Sequence, residues 1–213
     1  MPKNKPWDHP SRGRAPAATR ERRRILIVCE DSKSSSYYFE KFPVDPQRID
    51  FKVVGAGMNT DSLVENVIEK IKEATKNRQP YSDVWCVFDR DSFPLANYAR
   101  AFQLAENNKI RVAWANQAFE LWYLLHYDYL EAGIERGQYK EKLLKKGLVY
   151  DKADKTIYQK TESLQEKAIR NAAKLEKHWN DCGKRFQERE NPSTSVHKLV
   201  EYLNELADLG NVD

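Results

Sequence analysis

Residues 83–94 read DVWCVFDRDSFP. The run Val84–Phe88 is apolar without polar alternation, which suits a strand covered on both faces. It ends on Asp89 and Asp91 with Arg90 between them, and Pro94 then suits the first turn of a helix. A strand that passes straight into a helix is half of a parallel crossover unit, so the fold depends on whether the unit repeats.

It repeats on both sides. Ile25–Cys29 reads as a strand and is followed by a helix over Ser34–Phe42. Phe51–Gly57 reads as a second strand, and NTDSLVENVIEKIKEATKNR as a helix with Leu63, Val64, Val67, Ile68 and Ile71 at helical spacing and Thr60 as its N-cap. After Asp83–Phe88 comes a helix over Pro94–Asn107, then a strand in KIRVAWAN and an apolar helix in FELWYLLHYDYL. No hairpin signal separates the strands. This alternation predicts an α/β fold, a four-stranded, mainly parallel sheet with right-handed crossovers and helices on both faces. Beyond about Leu130 only helices are expected, over Tyr139–Lys146, Thr161–Trp179 and Ser195–Leu206. The expected organisation is a basic arm over 1–24, an α/β core over 25–130, and a helical extension over 131–213 packed on the core.

The chain of 213 residues suffices for one ample domain. No stretch approaches the roughly 20 apolar residues of a membrane helix, and no apolar signal core follows Met1. The expected address is the cytoplasm, with no membrane partner. Cys29, Cys86 and Cys182 form no C-x-x-C pair and read as reduced and structural. The net charge of +4 is uneven: residues 1–24 carry eight Lys or Arg against Asp8 and Glu21. Such an arm, ending in Arg22, Arg23 and Arg24, either attracts nucleic-acid phosphates or simply aids solubility.

Parallel sheets place their chemistry just past the carboxyl ends of the strands. Glu30, Asp89, Asp91 and Asn116 fall there. Carboxylates one residue apart are costly when both are ionised, unless a positive charge lies between them. Mg²⁺, or Mn²⁺ in its place, is the usual remedy, because it takes one or two carboxylates together with water and substrate phosphate. Glu30 can add a third ligand or accept a proton from an attacking water. Alone, D-x-D is a common polar strand exit; Glu30 is what adds weight to it. No glycine-lysine phosphate loop supports a nucleotide phosphotransferase.

Four segments, ILIVCEDSKSSSYYFEKF, VWCVFDRDSF, VAWANQAFELWYLLHY and NPSTSVHKLVEYL, together resemble the RloB-like proteins, whose core is Toprim-like. The resemblance runs along nearly all of the chain after residue 24. It implies Mg²⁺ chemistry on phosphodiesters, with Glu30 as the Toprim glutamate and Asp89 and Asp91 as the D-x-D pair. It also implies a role in antiphage defence by abortive infection. One departure stands out. Relatives often read C-E-G-E-K-T-E after the first strand, whereas this chain has Asp31, Ser32 and Ser35 where those have Gly, Glu and Glu. Lys33 is retained, for a phosphate or for Asp89.

Other residues have a functional and a plain reading. Glu120 lies just past the fourth strand and is expected in the site. His126 is an acid or phosphate contact, or a structural histidine. Asn116 orients substrate or, the safer reading, caps the next helix. Arg90 should point away from the aspartates yet can reach a phosphate. His197, with Asn191, Ser193 and Thr194, opens the last helix, where a phosphate can bind and where a plain helix start also explains them. Tyr37 or Tyr38 can approach the substrate, while Trp85, Trp114 and Trp122 read as packing. The expected activity is a Mg²⁺-dependent nuclease with RNA, and tRNA in particular, favoured over DNA. The alternative is a nucleic-acid-binding or regulatory module that has lost the chemistry. A partner protein of the same defence system and self-association are both open.

Overall fold

The computed structural model describes residues 22–58, 60–90, 95–184 and 190–208. Its strands are β1 (Arg23–Cys29), β2 (Ile49–Gly55), β3 (Asp83–Arg90) and β4 (Arg111–Asn116). They form one parallel sheet of four strands in the order β2-β1-β3-β4, in agreement with the α/β expectation. The helices are α1 (Ser34–Glu40), α2 (Thr60–Lys76), α3 (Leu95–Asn107), α4 (Glu120–Leu125), α5 (Tyr139–Lys145), α6 (Ile157–Thr161), α7 (Gln165–Asp181) and α8 (Val196–Asp208).

Period-two alternation divides each strand between two apolar layers. Leu26, Val28, Cys86, Phe88 and Trp114 pack against Leu63, Val64 and Val67 of α2 and Tyr98 and Phe102 of α3. Ile25, Ile27, Cys29, Trp85, Val87, Ala113 and Ala115 face the other way, toward α1, α4 and the helices after residue 130. Burial on both faces is why the strands are continuously apolar rather than alternating. Tyr38 is fully buried in the second layer, its ring against Phe39, Phe119, Trp122 and Tyr158, and does not reach a substrate.

Register sets the strand ends level. Cys29 aligns with Gly55 and with Val87, and Asp89 with Ala115. β2 ends at Gly55 rather than Gly57, because the chain after β1 presses on it. A Cβ at position 55 would lie 2.5 Å from the Ser32 Cα, so only glycine admits this approach.

Other boundaries also differ from the sequence reading. β1 includes Arg23 and Arg24, so these two belong to the sheet, not to the arm. The apolar helix α4 stops at Leu125, because the His126 imidazole takes the Trp122 carbonyl at 2.9 Å and leaves the His126 N–H to Tyr123 O at 3.3 Å. The helix expected over Thr161–Trp179 begins only at Gln165, as α7, behind a 3-10 turn, Glu162–Leu164, that joins it to α6. There the Thr161 hydroxyl donates back to Ile157 O at 2.9 Å, which competes with a straight continuation.

β4 is one of the sheet's two outer strands, and the NPSTS segment covers its edge. Trp114 O accepts both the Ser195 N–H, at 2.9 Å, and the Thr194 hydroxyl, at 2.7 Å. The Trp114 N–H donates to Ser195 Oγ at 3.1 Å, and Asn116 N–H to Ser193 O at 2.9 Å. Thr194 Oγ1 also accepts the Val196 N–H at 3.1 Å, capping the start of α8. These polar residues satisfy an otherwise bare strand edge.

Candidate active site

Glu30 follows β1 directly and ties it to β3. Its N–H donates to Val87 O at 2.8 Å, and its Oε2 accepts the Asp89 N–H at 3.0 Å. The Thr60 hydroxyl lies 3.5 Å from Oε1, so Thr60 opens α2 against the same carboxylate. Asp89, near the end of β3, points by alternation into the layer of α1 and α4.

Asp89 is the electrostatic centre of the region. Its side chain is 16% exposed and pairs with Arg136 at 2.9 Å. Burial raises its pKa well above the usual carboxylate value, and the negative charge of Glu120 adds to this. Arg136 opposes the rise, and Glu30 and Asp31 contribute to it further. Asp89 therefore feels the charges of three other acids, Glu30 and Asp31 after β1 and Glu120 at the start of α4.

Glu120 is buried as the first residue of α4. The Tyr150 hydroxyl donates to its Oε1 at 2.7 Å. Ser34 Oγ lies 2.9 Å from the same Tyr150 oxygen, and with the Tyr150 proton engaged by Glu120, Ser34 is the donor there. Lys152 approaches Glu120 at 3.9 Å. Asp31 works differently. Its Oδ1 accepts the Lys33 N–H and its Oδ2 accepts the Ser35 N–H and hydroxyl, so this carboxylate stabilises the first turn of α1.

The remaining sequence candidates divide clearly. Asp91 lies outside the described residues, as does the arm before Arg22. Arg90 faces the opposite layer, its guanidinium 5.3 Å from the centre of the Tyr98 ring. Asp89 takes its ion pair from Arg136 rather than from Lys33, which is exposed at the N-cap position of α1. Asn116 does not cap α4, whose N-cap position is Phe119; its Nδ2 donates to Ser193 Oγ at 3.3 Å. His126 is fully buried, and burial lowers its pKa to about 4.

His197 Nε2–H donates to Glu176 Oε2 at 3.1 Å. That bond, with Lys198, pulls the Glu176 pKa down to about 2. Glu176 lines a cleft with Ile110 and Val112, at the start of β4 rather than at its carboxyl end, so His197 is not brought to Asp89. Arg23 pairs with Asp83 and Arg24 with Asp50, both at 2.8 Å, and Arg22 donates to Pro46 O. All three thus lie at the opposite end of the sheet from the acids.

Sequence reasoning missed Arg136, Tyr150 and Lys152. One signal was present. Residues 136–155 carry seven Lys or Arg against three Asp or Glu, a basic run that includes the short basic helix expected over Tyr139–Lys146.

Among the described residues, no three His, Cys, Asp or Glu side chains are grouped as a metal ion would need. Mg²⁺ requires fewer, since one or two carboxylates with water and phosphate suffice. Asp89 and Glu120 are hard oxygen donors, both largely buried, and each already faces a cation. Their chemistry fits such an ion, and Asp91 is the nearest further candidate in sequence.

No helix among the described residues is long and apolar enough to cross a membrane. No curated protein and no solved structure matches the chain. A family model described as RloB-like protein matches residues 25–203, which is most of the chain, and the protein belongs to the RloB-like family.

Proposed function

We propose that this RloB-like protein is a Mg²⁺-dependent nuclease of the Toprim kind. The observation that carries the reading is Asp89 itself, largely buried near the carboxyl end of β3, paired with Arg136 at 2.9 Å and held well above the usual carboxylate pKa by burial and by the charges of Glu120, Glu30 and Asp31. Ionised acids gathered at a sheet's functional edge repel one another, and a divalent cation offsets that cost more fully than side-chain cations do. Asp89 and Glu120 would hold the metal, with Asp91 as the further ligand that the D-x-D pair suggests. A bound Mg²⁺ supplies charge stabilisation on phosphoryl oxygens. Glu30 fixes the end of β3 through the Asp89 N–H and takes the proton of the attacking water. Tyr150 keeps the Glu120 carboxylate oriented through its hydroxyl.

RNA, with tRNA foremost, is the proposed substrate, and growth arrest during phage infection the proposed role. Both rest on likeness to RloB-like proteins linked with defence. The basic run over 136–155 beside the acids supports a polyanionic partner. The test is purified protein with Mg²⁺ and separate pools of tRNA, single-stranded DNA and duplex DNA. Asp89→Asn and Glu120→Gln should each lower cleavage at least about 100-fold, the scale of losing a transition-state stabiliser. Cleavage that survives both substitutions overturns the assignment.

One observation favours a second reading, a module that binds nucleic acid without cutting it. Asp31 and Ser35 are engaged in stabilising α1, which leaves the acids thinner than the motif of many relatives. Oligonucleotide binding with no Mg²⁺ or Mn²⁺ heat in calorimetry would favour the module.

A further inference from the structure

Two largely buried carboxylates each carry an exposed cation, and both cations come from one segment. Asp89 is 16% exposed and its partner Arg136 47%. Glu120 is 6% exposed and its partner Lys152 61%. The acids sit on rigid elements, the end of β3 and the first turn of α4. The cations sit on a 3-10 turn, Arg136–Gln138, and on the chain after Tyr150.

The asymmetry matters because each exposed cation can return to water at little cost, whereas each buried carboxylate needs another cation in its place. Tyr150 still donates to Glu120 at 2.7 Å, so that carboxylate keeps its orientation without Lys152, which stands at 3.9 Å. We propose that Arg136 and Lys152 are phosphate-binding groups held in reserve on Asp89 and Glu120: a divalent cation takes the carboxylates and releases both side chains to the phosphates of nucleic acid. The proposal rests on the metal placement given above. Without metal, the two cations offset the clustered acids. With metal, the same surface turns net positive and attracts a polyanion. An Arg guanidinium is suited to the second task, since its fork matches phosphate as well as carboxylate.

Metal and nucleic acid should therefore bind cooperatively, each tightening the other by the same factor. The test uses the full chain and two probes, Mn²⁺ titrated by calorimetry and a cleavage-resistant, phosphorothioate-linked single-stranded oligonucleotide followed by fluorescence anisotropy. Arg136→Gln with Lys152→Gln should bind Mn²⁺ about fivefold tighter than wild type, because the competing cations are gone. The same variant should lose the gain in oligonucleotide affinity that Mn²⁺ gives the wild type. Arg136→Lys should restore much of that gain.

Unchanged or weaker Mn²⁺ binding in the double Gln variant overturns the proposal, as does an undiminished Mn²⁺-dependent gain in oligonucleotide affinity. Neither probe reads cleavage, so the outcomes separate. Cooperative binding without hydrolysis of any nucleic acid defeats the nuclease reading and leaves the exchange standing. Hydrolysis lost in Asp89→Asn, alongside unaltered Mn²⁺ affinity in the Gln variant, defeats the exchange alone.

Discussion

The imidazole of His126 lies between Tyr38 and Trp122, with ring centres at 6.4 and 5.0 Å. Its Nδ1–H donates to the Trp122 carbonyl, which leaves Nε2 bare and without a hydrogen-bond partner among the described residues. Charging this ring means placing a proton in an apolar cage, so its pKa falls from 6.5 to about 4. The unfolded chain takes up the proton first as pH falls. Stability is therefore intact above pH 6.5 and is lost progressively down to about pH 4, by roughly 3 kcal/mol. His126→Phe should narrow the gap between urea midpoints at pH 7 and pH 4.5, and an equal gap in the variant would remove His126 from the account. At this scale Glu30 and Asp89 were legible, since an acid at the end of an apolar run is visible in one dimension. Arg136 and Tyr150 were not. They meet their carboxylates across 47 and 30 residues of chain, and nothing in a linear pattern ties a cation to a distant acid.

At the level of elements, the four strand–helix units could be read directly, because burial on both sheet faces writes itself as unbroken apolar runs. The breaks were harder. Where α4 stops and where α6 gives way to α7, a side chain binds a backbone carbonyl, and such local competition leaves the apolar spacing unchanged. NPSTS shows the same limit. It reads as a helix start and it is one, yet Thr194 and Ser195 also occupy the Trp114 carbonyl at the edge of β4. Thr194→Val keeps the shape and removes two hydrogen bonds, one to a buried strand carbonyl and one to the first turn of α8. Its expected cost is about 1–3 kcal/mol in urea unfolding. A variant as stable as wild type would mean that the Ser195 N–H alone satisfies the Trp114 carbonyl.

Across the whole molecule, the segment after residue 130 shares the core of the sheet. Ile134, Tyr139, Leu143, Leu175, Leu199 and Leu203 are buried in one cluster with Ile27, Trp85 and Ala113. Each such side chain contributes roughly 1.5–3 kcal/mol on burial, and a domain's whole stability is only about 5–15 kcal/mol. A chain ending at Leu130 should therefore lack a cooperative urea transition and bind a hydrophobic dye strongly; a sharp two-state transition in that fragment would show the core to be self-sufficient. The division of the site along the chain also has a consequence for its making. Glu30, Asp89 and Glu120 leave the ribosome before Arg136, Tyr150 and Lys152, and α7 and α8, which complete the cover of one sheet face, emerge later still. No nascent chain ending before Lys152 can bring these acids, cations and Tyr150 together, so the cluster assembles only after the four strands have been made.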